Sequence, residues 1–295
     1  MPVDFELHSR CVIAPPGLGW SRDRPDFRDF TPETPEIAAL LKKLRSGRRT
    51  AGGLPSQVDL REYFPRVRDQ QQSSASASHA SVGLLEYFER RAFGKTTEYS
   101  TTFLDRTARN LLQISEDAGT ELRSTLKALT RFGLAPERHW PQHAVSSDAQ
   151  PDAFVYAAAK KFPAARYVRL DRRNAMGEET LAAARTFLAA GFPLMLGFPV
   201  PSSISRDADI AYRPTFDTVF GGQAVVAVGY DDRRGRATKG ALLIRNSWGT
   251  DWGDAGYGWL PYVYLTEQLA VDLWTLISPD WLETGEFRRP LLPSA

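Results

Sequence analysis

The sequence predicts an α+β fold in which helices come first and strands follow. Three observations carry this: apolar residues recur at helical spacing before Gly191, short β-branched runs bounded by Gly, Pro, Asp and Ser follow it, and the composition supports a core. Of the 295 residues, 42% are hydrophobic and 24% charged, which suffices for one large domain or two lobes.

The first stretch, to about residue 55, is rich in Pro, Gly and charge and reads as an arm lying on a domain. Within it, Ile37, Leu40, Leu41 and Leu44 predict a helix over residues 35–44. Small residues from Ser73 lead into Val82, Leu84, Leu85 and Phe88, so a long helix is expected with Ser73 or Ser74 as its cap and Gly94 as its stop. Leu122, Leu126 and Leu129 share a stripe and predict a second helix over 121–132, ended by Gly133; a third is expected over 178–190, closed by Gly191. Strands are expected over 194–200, 223–230 and 241–245, with 231–239 as the turn between the last two. No internal repeat is evident, and residues 70–81 are the only low-complexity stretch.

The formal charge of +2 comes from 37 basic and 35 acidic residues spread along the chain, so nothing favours nucleic acid or an anionic membrane. The Arg-rich runs at 45–49 and 169–173 read as solvated faces. Cys11 is the single cysteine, which excludes an intramolecular disulfide and a cysteine-rich zinc site. Residues 1–10 carry acidic groups without a long apolar run, unlike a secretory signal, and no stretch reaches the roughly 20 apolar residues of a membrane span. A reducing, cytoplasmic location is therefore expected. No cofactor is called for, and no carboxylate and histidine spacing suggests a metal.

Four segments in order carry a family resemblance. They are the stretch 54–70, LPSQVDLREYFPRVRDQ; the run from Gln70 to Ser76, QQQSSAS; Gly221-Gly222-Gln223-Ala224-Val225 with Val228-Gly229-Tyr230; and Asn246-Ser247-Trp248-Gly249-Thr250 with Trp252-Gly253 and Gly256-Tyr257. Together they resemble the papain-like cysteine proteases, especially the compact bacterial members, whose patterns are QGxxGSC, GGHAV with VGY, and NSWGxxWGxxGY. A weaker match covers 117–123 and 137–141. The resemblance implies a papain-like fold, with a helical left lobe, a β-barrel-like right lobe and a cleft between them. It divides the chain into a leader-like arm (1–53), a left lobe (54–150), a right lobe (151–275) and a tail packing back on the body (276–295).

The resemblance also assigns roles. It puts the nucleophile at position 76, the base at 223, the amide that orients the base at Asn246, the shielding indole at Trp248 and the oxyanion donor at Gln70. A bound peptide would meet Gln70, Gly119, Thr120, Gly222, Gln223 and Trp248. The chemistry needs a thiolate at a helix start and an imidazole facing it. This sequence has Ser76 and Gln223 there. A hydroxyl is a weak nucleophile without a base, and a carboxamide accepts no proton near neutral pH. Losing either member of a catalytic unit costs on the order of a million-fold in turnover.

The expectation is therefore a catalytically inactive pseudoprotease that binds a protein or peptide partner. The alternative is a residual or repurposed serine hydrolase using Ser76, with His79 one helical turn on as its base. A third reading is a structural subunit whose cleft is closed by the arm or by side chains. Gln71, Ser74, Ala75 and Ala77 also depart from the family pattern, and side chains there could narrow the cleft. His139 and His143 read as surface residues, and Gly221-Gly222 as a tight turn before a strand rather than a phosphate loop. Trp248, Trp252 and Tyr257 read as packing rather than a ligand cage. The arm either crosses the cleft or packs on the left lobe.

Overall fold

The computed structural model describes residues 13, 15, 17–24, 26–45, 53–142, 146, 148–172, 175–235 and 239–289. His8, Cys11, His143, the start at 1–10, the run 46–49 and the end at 290–295 lie outside them. The arm contributes β1 (Trp20–Ser21) and α1 (Pro35–Arg45), and a short strand β2 (Gln57–Asp59) follows. Ile37 and Leu40, read as one helical face, are both buried.

The helical part comprises α2 (Ser76–Phe93), α3 (Thr101–Leu112), β3 (Thr120–Glu121) running directly into α4 (Leu122–Phe132), and α5 (Ala153–Ala158). Then come β4 (Arg166–Arg169), α6 (Gly177–Ala189), β5 (Leu194–Pro201), β6 (Val219–Asp231), β7 (Ala241–Arg245), β8 (Tyr257–Pro261), α7 (Val263–Thr266), β9 (Val271–Ile277) and α8 (Pro279–Leu282).

Helix α2 ends as expected, with Gly94 left-handed at φ 71°. Its start differs. The N-cap is Ala75, with no side-chain cap; Ser73 Oγ accepts from Ala75 N at 3.3 Å, and Ser74 N donates to Asp117 Oδ1 at 3.1 Å. The two serines shape the turn before the helix instead of capping it. Helix α4 starts one residue late because Glu121 is still extended and paired with β1. Helix α3 was not among the helices expected, although Phe103, Leu104 and Ala108 share its buried face; Ser100 Oγ accepts from Phe103 N at 3.0 Å and caps it.

The strands form one antiparallel sheet in the order β4-β9-β5-β6-β7-β8. Strand β2 takes the edge of β6 that β5 leaves, pairing with residues 229–231 while β5 pairs with 219–227. The β-rich part was expected to be barrel-like; it is an open, seven-stranded sheet whose end strands β4 and β8 do not pair. Strand β6 also begins at Val219, so Gly221 and Gly222 lie inside a strand, not in a turn before one.

Helix α2 packs against α3, α4 and β6 and is buried on nearly all sides, including Glu86, Glu89 and Arg91; Arg90 is exposed. Each buried charge has a partner: Glu86 takes Arg68 at 2.6 Å and Tyr99 N at 3.1 Å, Glu89 takes the Tyr99 hydroxyl at 2.9 Å and Lys160, and Arg91 donates to the Gly191 carbonyl at 2.7 Å. Phe88 stacks on Trp281 with ring centroids 4.8 Å apart and on Phe287 at 5.7 Å, fixing residues 279–288 to the helix. Because Phe88 is fully buried, Phe88→Ala is expected to destabilise the protein by about 3–5 kcal/mol, read as a lower midpoint in urea denaturation.

Candidate active site

A cleft lies between the turn that precedes α2, with Gly119 and Thr120 beside it, and the faces of β5 and β6. The arm runs through it. Gly17 N donates to Gln71 O at 3.1 Å, Gln70 Nε2 to Gly17 O at 2.5 Å, and Thr120 N to Gly19 O at 2.9 Å. Of the two placements the sequence left open, the arm takes the cleft.

Glycines on both sides make this fit possible. A Cβ on Gly19 would lie 1.5 Å from Ser74 O, and one on Gly119 2.3 Å from Gly19 O. On the sheet side, a Cβ on Gly197 would lie 1.9 Å from the Trp20 indole, one on Gly222 2.5 Å from Trp20 O, and one on Gly221 2.8 Å from the Leu18 side chain. At Gly19, Gly119 and Gly222 backbone therefore meets backbone, while Gly197 and Gly221 make room for the Trp20 and Leu18 side chains. The spacing Gly17-Leu18-Gly19-Trp20 was the available signal for this close approach.

The two positions expected to react come together at the floor of the cleft. Ser76 is the first residue of α2, fully buried, and its Oγ accepts from Ala224 N at 3.2 Å. Gln223 lies on β6 and is also fully buried. Its Nε2 lies 2.9 Å from Gln70 Oε1, 2.9 Å from Asn246 Oδ1 and 3.2 Å from Ser247 Oγ. Ser247 Oγ in turn donates to Gln70 Oε1 at 2.5 Å, and Gln70 Nε2 also donates to Ser73 O at 2.7 Å. Thus Gln70, Gln223 and Asn246, expected from the sequence, form one network. Ser247, which the sequence reading passed over inside the Asn-Ser-Trp run, completes it.

Trp248 packs edge-on to Trp252 at 5.4 Å, and Trp252 Nε1 donates to Ser205 O at 3.0 Å; with Tyr257 also buried, these rings are packing elements. His79 is buried in α2, and His139 is half-buried edge-on to Phe154 at 5.2 Å.

A second buried polar cluster, unexpected from the sequence, anchors the arm beyond Trp20. Asp23 N donates to Asp272 Oδ2 at 2.8 Å, Trp20 Nε1 to the same oxygen at 3.2 Å, and Trp274 Nε1 to Asp23 Oδ2 at 2.7 Å. Arg169, read as part of a solvated run, is instead drawn in: it reaches Asp272 Oδ1 at 2.9 Å and Asp171 at 3.1 Å. Burial first, then the charge of Asp272, pushes the Asp23 carboxyl up to about 7, against the pull of Arg123 and the Trp274 bond. No group of three or more metal-ligating side chains occurs among the described residues, and no helix there is long and apolar enough to cross a membrane.

The family model "Papain family cysteine protease" matches residues 54–263. This chain belongs to that family. Among solved structures, xylellain, a cysteine protease from Xylella fastidiosa, is 29% identical with a TM-score of 0.69, over 89% of this chain and 96% of its own. An uncharacterized peptidase C1-like protein of Acanthamoeba polyphaga mimivirus is 28% identical over 88% of this chain and 86% of its own length. A cathepsin B-like protein of Giardia intestinalis is 30% identical over 87% and 75% respectively. The papain-family match covers both the turn before α2 and the Asn246 strand end, so the whole network described above lies within the matched residues.

Gly19→Ala is expected to expel the arm, since the new methyl has no room against Ser74 O. Hydrogen exchange checks this: the Thr120 amide should exchange more than about tenfold faster, while amides in the middle of β6 remain protected.

Proposed function

We propose that this papain-family chain is a catalytically inactive pseudoprotease that acts by binding a protein or peptide partner in the cytoplasm. The observation that carries the reading is the environment of Gln223 Nε2, which faces only oxygen acceptors. The carboxamide N–H takes up the bond to Asn246 Oδ1 that an imidazole N–H would make, so the orienting geometry survives while the base does not. Ser76 Oγ, beside it, accepts a backbone N–H and has no basic Gln223 to draw off its proton.

The cleft already holds an extended segment through main-chain bonds, which supports peptide binding as its use. Thr120 N and Gln70 Nε2, now on the carbonyls of Gly19 and Gly17, are the donors an incoming peptide would take over once the arm is displaced.

Two measurements test the reading. A fluorescent peptide of residues 13–24 is expected to bind Gly19→Ala protein in trans, and absence of binding by folded protein with an expelled arm would remove the peptide-receptor reading. In the same background, Ser76→Cys with Gln223→His is expected to bring thiol-dependent peptidase activity at least about a hundredfold above either single variant, because the two act as a unit. Equal activity in the single and double variants would contradict the assignment of these positions.

A further inference from the structure

We propose that residues 22–33 of the arm form, with the loop between β4 and α6 and the start of β9, a second binding site that takes a small aromatic carboxylate. The site shares no residue with the network of Gln70, Gln223 and Asn246, and it stands whether or not the cleft is catalytic.

The site is a cavity of about 900 Å³, a size that encloses a small organic molecule. Its floor is apolar: Leu265 of α7, Ala270 and Val271 are buried there. Its rim carries two large apolar side chains that are turned to solvent, Phe27 at 93% exposed and Met176 at 68%. One exposed apolar residue is ordinary, but two on the rim of one apolar cavity leave surface that a bound ring would cover. Both suit a ring, the phenyl group by offset or edge-on packing and the thioether by sulfur contact.

The charge at the cavity follows from which ionic groups are already paired. Among the carboxylates that line it, Asp26 is held by Arg28 at 2.6 Å, Asp29 by Arg123 at 2.6 Å, Asp171 by Arg169 at 3.1 Å and Glu33 by Arg172. Asp23 is buried and accepts from Trp274 Nε1 at 2.7 Å and from Arg123 N at 3.2 Å. Asp272, whose charge Arg22 also feels, is bonded by Arg169 at 2.9 Å. Arg22 and Arg24 line the same cavity and are exposed, and their guanidiniums have no hydrogen bond or ion pair among the described residues.

These two arginines flank Asp23 in an exposed, buried, exposed alternation, the pattern that puts every second side chain on one face. The backbone between them is fixed, since Asp23 N donates to Asp272 Oδ2 at 2.8 Å and the Arg24 carbonyl accepts from Arg123 at 2.6 Å. Two guanidiniums on a held segment thus face a cavity whose carboxylates are all engaged. A guanidinium pairs with a carboxylate through parallel N–H bonds and also stacks on a ring face. An aromatic carboxylate uses both the cationic rim and the apolar floor; a small inorganic anion or a neutral ring uses only one of them.

The test is titration of the full chain, carrying methyl-labelled methionine, with naphthoate. Met176 lies on the rim and Met195 is fully buried, so their methyl resonances serve as reporter and reference. Naphthoate is expected to bind with a Kd of about 1 mM or tighter, shifting the Met176 methyl saturably and leaving that of Met195 in place. The neutral naphthamide and the ring-free acetate should each bind more than about tenfold more weakly. Arg22→Gln with Arg24→Gln should cost more than about tenfold in affinity, and Phe27→Ala about two- to tenfold. Phe216→Ala, which removes a ring that is 84% exposed outside this cavity, should leave the affinity unchanged. No saturable shift of Met176, equal binding of the amide, undiminished binding by the double arginine variant, or an equal loss in Phe216→Ala and Phe27→Ala would each overturn the site.

Discussion

The buried amide of Gln223 is the interaction on which the site depends. Its nitrogen has two hydrogens and three oxygens within reach, from Gln70, Asn246 and Ser247. One side chain on β6 thereby binds the turn before α2 to the strand end after β7, the two sides of the cleft. These groups are buried, and the amide is one of two donors to each carbonyl oxygen: Gln70 Oε1 also takes the Ser247 hydroxyl and Asn246 Oδ1 the Ser247 N–H. The position is thus tied to both sides of the cleft, and in the proposed reading a donor amide stands there in place of a base.

The arm follows from the same geometry. Gln70 turns its oxygen to Gln223 and Ser247, which leaves its Nε2 pointing at the Gly17 carbonyl. Glycines at 17, 19, 119 and 222 let the segment sit main chain to main chain between the walls, and those at 197 and 221 leave space for the Trp20 and Leu18 side chains. Trp20 then fills the space above Gly197 and Gly222 and passes its N–H to Asp272, so cleft and carboxylate cluster are parts of one docking surface.

Much of this was legible from residues alone. The apolar stripe of α4, the glycine ending α2 and the β-branched run of β7 reported local preferences that tertiary packing left unchanged. The Gly-Gly-Gln and Asn-Ser-Trp runs placed Gln223, Asn246 and Trp248 together only through the family resemblance, since Gln223 lies on β6 and the other two follow β7. What was hidden depended on distant partners. Ser73 looked like a cap, but Asp117 claims the neighbouring amide; Arg169 looked solvated, but carboxylates from the arm and β9 surround it. The sheet was expected to be barrel-like, and strand-local patterns carry no information on whether its end strands meet.

The central proposal is that Ser76 lacks a working base. Its most direct measure is labelling of the folded protein, and of its arm-free Gly19→Ala form, by a fluorophosphonate probe, beside Ser76→Ala controls. The account predicts no labelling above the controls in either form. Stoichiometric labelling that disappears in Ser76→Ala would contradict it and make Ser76 a working nucleophile.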